Sequence, residues 1–148
     1  MKNFFIIYSI LTVCAFAWDG QCYDSSACNF NPSAEFDEAN DNTCLYTQYF
    51  CGNLHNTGNW LTFIFEDTIT VLEQGDEVAI YDYAAITNFQ NCDNELGEML
   101  VGAGTWNGSQ LYISAVGSID YCSLGSVQLP GFVDGNQVVI KIWDESEG

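Results

Sequence analysis

The chain is 148 residues long and carries twenty Asp and Glu against two Lys and Arg, a formal net charge of −18. That balance argues against direct nucleic-acid binding, which needs basic residues to replace the phosphate counterions, and against adsorption to an anionic membrane. So many carboxylates cannot be neutralised in ion pairs, so they are solvated or share bound cations, because close like charges oppose the compact state.

The chain opens on a targeting pattern. Met1-Lys2-Asn3 is a short cationic stretch, Phe4 to Val13 is an almost unbroken apolar run, and Ala15-Phe16-Ala17 has the small-x-small form of a cleavage site. Residues 1–17 are therefore expected to be a signal peptide, with the mature chain starting at Trp18. The run is shorter than the roughly 20 apolar residues of a spanning helix, so no membrane association is expected after cleavage. Leu11-Thr12-Val13-Cys14 faintly matches a lipid-attachment box, but Val13 is too bulky for the place before a modified cysteine. Cleavage would remove Cys14 and Lys2. It would leave Lys141 as the only Lys or Arg, and Cys22, Cys28, Cys44, Cys51, Cys92 and Cys122 as an even set. In a secreted chain such a set reads as three disulfides.

Residues 18–52 show neither a helical nor a strand period. Four of the cysteines fall here, and between them lie Asp24, Asn29, Asn31, Asp37, Glu38, Asn40, Asp41 and Asn42. A segment with so little apolar material cannot build its own core, and disulfides with a hard cation are the expected substitute. Calcium takes oxygen ligands, and Asp24, Asn29, Asn31, Asp37 and Asp41 are the candidates to supply them. Zinc is disfavoured, because His55 is the only histidine and oxidised cysteines are not ligands. An EF-hand loop placed on Asp37 to Gln48 fails, with Ala39, Asn42 and Gln48 at its third, sixth and twelfth positions. The plainer reading is a stapled loop whose Asx side chains only cap turns.

Residues 53–59 read as a polar linker, and from Trp60 the composition turns strand-like. Strands are expected at Trp60–Phe65, Ile69–Leu72, Glu77–Tyr81, Glu98–Trp106, Gln110–Val116 and Gln137–Trp143, the last with Val138, Ile140 and Ile142 on one face. Turns are expected at Gln74-Gly75-Asp76, Pro130-Gly131 and Asp134-Gly135. Asn107-Gly108 predicts a type I′ hairpin between the fourth and fifth of these strands. Cys92 and Cys122 flank it and are expected to pair. The fold class is mainly β: a small disulfide-stapled irregular module followed by an antiparallel β-sandwich over residues 60–148.

Two stretches resemble known modules. Gly20-x-Cys22-x-Asp24-x-x-Ala27-Cys28-Asn29-Phe30-Asn31-Pro32-x-Ala34, with Asp37-Glu38 and Cys44-x-Tyr46, resembles a short acidic Cys-rich module of secreted and cell-surface bacterial proteins, written G-C-T-D-x-x-A-C-N-Y-N-P. The segment Asp37 to Thr43 departs from that module's compact D-D-G-S. The resemblance implies an extracellular, calcium-stabilised spacer or display module, and as one cooperative unit it implies Cys22–Cys44 and Cys28–Cys51. Gly75-Asp76-Glu77-Val78, Gly131-Phe132-Val133-Asp134-Gly135 and Lys141-Ile142-Trp143-Asp144 are similar to a β-sandwich module of secreted bacterial adhesins and sorting-domain proteins, with Tyr81 in place of a Phe.

No arrangement for catalysis stands out. The single histidine lies in a polar stretch, no G-x-S-x-G occurs, and twenty acids supply a close carboxylate pair by chance alone. The chain therefore reads as a non-catalytic secreted or cell-surface structural or adhesive protein. Its expected partners are other surface proteins or polysaccharide, with self-assembly as a further option. The alternatives are a small carbohydrate-binding module using Trp106 and Trp143 as stacking platforms, and the N-terminal fragment of a larger secreted protein. Asp76, Asp82, Asp134 and Asp144 sit at expected strand ends, where turn formation is the plainer role and a second cation site the sharper one.

Overall fold

A computed structural model describes residues 21–34 and 43–147. Among the described residues there are seven strands: β1 (Trp60–Phe65), β2 (Glu77–Ile86), β3 (Leu96–Thr105), β4 (Leu111–Val116), β5 (Ile119–Asp120), β6 (Gln128–Leu129) and β7 (Val138–Trp143), with a 3₁₀ turn at Cys122–Leu124. Every strand pair is antiparallel. β1 pairs with β4, β2 lies between β3 and β7, and β5 pairs with β6.

The two larger sheets face each other as a sandwich. Val78 and Ile80 of β2, Val101 of β3 and Ile113 and Ala115 of β4 form one buried cluster with Leu72 and Trp106, and Phe63 and Phe65 of β1 pack against it. Strand β3 lies against β4 without side chains between them at Gly102, where a Cβ would sit 2.6 Å from the Ser114 carbonyl oxygen and 3.2 Å from Ala115 Cα. The contact is main chain against main chain, closer than the usual spacing of about 10 Å between stacked sheets allows.

Two expected elements turn out differently. Ile69–Leu72 is not a strand. Its apolar residues divide, with Leu72 in the core and Val71 largely exposed, so no pleated face forms. The Asn107-Gly108 hairpin is also absent: β3 pairs with β2 and β4 with β1, so this connection crosses from one sheet to the other. A type I′ turn needs positive φ at both central residues. Gly108 has φ 87°, but the non-glycine residues with positive φ are Gln90 and Asn94, not Asn107. Trp106 decides the path instead. Its N–H donates to the Asp76 carbonyl at 2.7 Å and its carbonyl accepts from the Gly75 N–H at 2.9 Å, while its indole enters the core. The chain leaves β3 pinned to the β2 entry turn, and Asn107 turns it by accepting from the Ser109 N–H and hydroxyl.

Residues 53–59 are packed rather than a free linker. Leu54 is buried with Leu45 and Val116, against Leu100 and Ala103. Thr57 donates its hydroxyl to the Gly117 carbonyl, and the Asn59 carbonyl accepts from the Gly117 N–H. The segment packs along β3 at Leu100 and Ala103 and against the end of β4.

Candidate functional site

Three disulfides join Cys22 to Cys44, Cys28 to Cys51 and Cys92 to Cys122, the pairs expected for these cysteines. They mark an oxidising environment. Among the described residues no helix is long and apolar enough to cross a membrane.

The candidate ligands of the acidic module can be followed in part, since Asp37 and Asp41 lie outside the described residues. Asn29 acts as a surrogate peptide group between two segments of chain. Its amide nitrogen donates to the Thr43 carbonyl at 2.7 Å and its oxygen accepts from the Leu45 N–H at 2.9 Å, both buried. The main chain continues this ladder through Cys28 N–H to the Leu45 carbonyl. Asn31 caps a turn by accepting from the Ser33 N–H, and its amide nitrogen donates to Gln21. Asp24 accepts from the Ser26 N–H and hydroxyl on one oxygen and from the Tyr46 hydroxyl on the other. Those donors, the Ser26 backbone first, hold its carboxyl below the usual carboxylate range. Each of the three described candidates is thus engaged in shaping a turn or a ladder, and among the described residues no group of three or more His, Cys, Asp and Glu gathers in one place.

A residue absent from the expected set does more. Glu77 opens β2 and is buried, yet among the described residues its carboxylate meets no lysine or arginine. It receives three successive backbone donors from the module: the Gln48 N–H, the Tyr49 N–H at 2.8 Å and the Phe50 N–H at 3.0 Å. Charge-assisted bonds of this kind are about twice as strong as neutral ones. Aromatic contacts flank the anchor. Tyr49 stacks on Trp143 with ring centroids 5.5 Å apart, and Phe50 meets Tyr81 edge-on at 6.4 Å. The outer face of the β3–β2–β7 sheet is therefore where the module docks. The sequence signal for this was weak: a lone acid at the first position of an apolar strand.

The remaining acids follow the same logic. Asp76 is buried and accepts from the Glu73 and Glu145 N–H groups. Asp82, also buried, accepts from the Ala84 and Val133 N–H groups and the Asn136 amide. Asp144 accepts from Ser146, hydroxyl and N–H, which lowers its pKa. Asp134 is exposed in its turn. Lys141 pairs with Glu98, which raises the ammonium pKa, and its nitrogen lies 3.9 Å from the Tyr81 ring centroid.

Of the two candidate stacking platforms, Trp106 does not form one. Trp106 is 2% exposed and belongs to the core, so it has no face to offer a sugar. Its place beside a turn suggested exposure, but the crossing of the chain between sheets carries the indole inward. Trp143 gives one ring face to Tyr49. A comparison with family models, with curated proteins and with solved structures finds no match in any of the three, so the resemblance of both stretches to bacterial surface modules rests on their quoted residues.

Proposed function

We propose that this chain is a non-catalytic structural or adhesive domain, exported by its leader and working outside the cell, in which the disulfide module is a rigid cap on a β-sandwich. The observation that carries this reading is the use made of the buried carboxylates. Asp76, Glu77 and Asp82 are all taken up by backbone N–H groups. A reactive acid needs a vacant oxygen facing a substrate, whereas these acids fix loops to strands. Disulfides, an acidic exterior and a rigid sandwich suit a protein whose task is to hold its shape and meet a partner.

The test is display. Anchored on the surface of a host that lacks it, the chain is expected to raise attachment to protein-coated or polysaccharide-coated plates above the anchor alone. Attachment equal to that of the anchor alone, or turnover of a substrate by the purified protein, contradicts the reading. Calcium enters the proposal as the counter-ion of the acidic segment that holds Asp37 and Asp41. A melting temperature that rises in calcium and falls back in EDTA supports it; one that is unchanged removes the ion from the account.

A further inference from the structure

Asn107-Gly108 is the one Asn-Gly pair in the sequence, and the fold does not use it as a hairpin turn. It lies on the surface between two fixed points. The main chain of Trp106 is pinned to Gly75 and Asp76, and Leu111 pairs with Phe65 at the start of β4. Asn107, Gly108 and Ser109 are all exposed, and a Cβ built on Gly108 would meet nothing within 4 Å. The Asn107 side chain is held nevertheless. Its Oδ1 accepts from the Ser109 N–H at 3.0 Å and from the Ser109 hydroxyl at 2.6 Å. A bond to a donor two residues on folds an Asn side chain back along its own backbone, toward the nitrogen of the residue between. Among the described residues nothing accepts from the Gly108 N–H or from the Asn107 amide nitrogen.

We propose that Asn107 is a site of self-deamidation, assisted by the two Ser109 donors, and that its isoaspartyl product loosens the crossing between the sheets. The Gly108 nitrogen gives its proton to hydroxide and forms a bond to Asn107 Cγ; the oxygen that turns negative in this addition is Oδ1. The Cγ–Nδ2 bond then breaks, the nitrogen takes a proton and leaves as ammonia, and a five-membered succinimide remains. Water opens that ring at one of its two carbonyl carbons. Addition at Cγ leaves Asp at position 107. Addition at the main-chain carbonyl leaves isoaspartate, and the chain then runs through Cγ and is one atom longer. Either product carries one more negative charge.

Three features meet at this position. Glycine has no side chain to shield the attacking nitrogen. Donors aimed at an oxygen where charge develops stabilise the transition state more than the ground state. The segment belongs to no strand, so no ladder has to break for the ring to close. Other Asn residues lack at least one of these. Asn31 precedes Pro32, which has no N–H to lose. Asn29 is buried with its amide nitrogen and its oxygen both engaged. The Asn136 amide nitrogen, the group that has to leave, donates to Asp82 and to the Ala84 carbonyl. The structural consequence follows from the fixed ends. An added main-chain atom between Trp106 and Leu111 has to be taken up there, at Trp106 or at Gln110, whose amide donates to Glu66 at 2.8 Å.

Incubation of the folded, disulfide-bonded chain in mildly alkaline buffer, followed by peptide mapping, tests this. The peptide that holds Asn107 is expected to show the mass of an amide-to-acid exchange and to accept methyl groups from an isoaspartyl methyltransferase, at a rate that rises with pH. Ser109→Ala is expected to slow the conversion about two- to tenfold, the rate equivalent of one exposed hydrogen bond. In the reduced, denatured chain, where that bond is absent, the same substitution is expected to change nothing. The isoaspartyl product is expected to melt at a lower temperature than Asn107→Asp, which adds the charge without the extra atom. Near-ultraviolet circular dichroism from buried Trp106 checks that the variants fold. An Asn107 that stays intact in the folded chain while the denatured chain converts overturns the proposal. So does a folded Ser109→Ala variant that converts as fast as wild type, or an isoaspartyl product that melts no lower than Asn107→Asp.

Discussion

Replacing Glu77 with alanine is expected to destabilise the disulfide-bonded protein by about 3–5 kcal/mol, because three backbone donors lose their shared acceptor at once. The carboxylate is the shared acceptor of three consecutive backbone donors, at Gln48, Tyr49 and Phe50. Truncation leaves these N–H groups without the acceptor around which that turn is built. Each buried, unpaired donor costs about 1–3 kcal/mol, and partial access of water to Gln48 and Tyr49 lowers the sum. Glu77→Gln retains one acceptor oxygen but adds two donors beside an N–H cluster, so its cost should fall between wild type and alanine. Denaturant unfolding with the disulfides intact measures both. A loss under about 1 kcal/mol for Glu77→Ala, the size of a single ordinary hydrogen bond, contradicts the anchor.

Gly102→Ala is expected to cost at least the roughly 1–3 kcal/mol typical of overpacking, because the atoms in its way are backbone. The new methyl would lie 2.6 Å from the Ser114 carbonyl oxygen, 3.0 Å from Ile113 Cγ2 and 3.2 Å from Ala115 Cα. No rotamer change relieves the first and last of these, so β3 and β4 must move apart and open the core around Val101 and Ile113. Gly97→Ala is the matched control on the same strand. There the added methyl meets only Thr87 Cγ2 at 3.5 Å, an ordinary contact, so the change should be near neutral. Equal melting temperatures for the two variants would show that the sheets do not meet at Gly102 as described.

Much of this architecture is legible in the sequence because it is written in local composition. β1, β2, β4 and β7 follow from runs of aromatic and β-branched residues, β3 from the apolar Met99-Leu100-Val101 before its glycines, and the even set of cysteines announces its three bonds. Pairing between strands is less legible. Asn107-Gly108 has the composition of a hairpin turn, yet the adjacent Trp106 gains more by entering the core, and that gain depends on atoms thirty residues away at Gly75 and Asp76. Ile69–Leu72 has strand composition but no neighbour to pair with. Val138, Ile140 and Ile142 share one face, as their alternation requires, but only the width of the opposite sheet decides whether that face is covered. Of the candidate site, Asn29 has the composition of a ligand because Asn oxygen suits calcium; the same oxygen suits a peptide N–H equally well. Glu77 is not legible as an anchor, because one acid among twenty carries no mark of burial.

The central claim is that the stapled module and the sandwich unfold as one body, joined through Glu77 and the Tyr49–Trp143 stack. Hydrogen exchange followed amide by amide in rising denaturant, with the disulfides intact, tests it most directly. The account predicts that the amides of Tyr49 and Phe50 and those of Val78 to Tyr81 open with the same free energy and the same denaturant dependence. Module amides that exchange freely while β2 stays protected would show two independent units and contradict it.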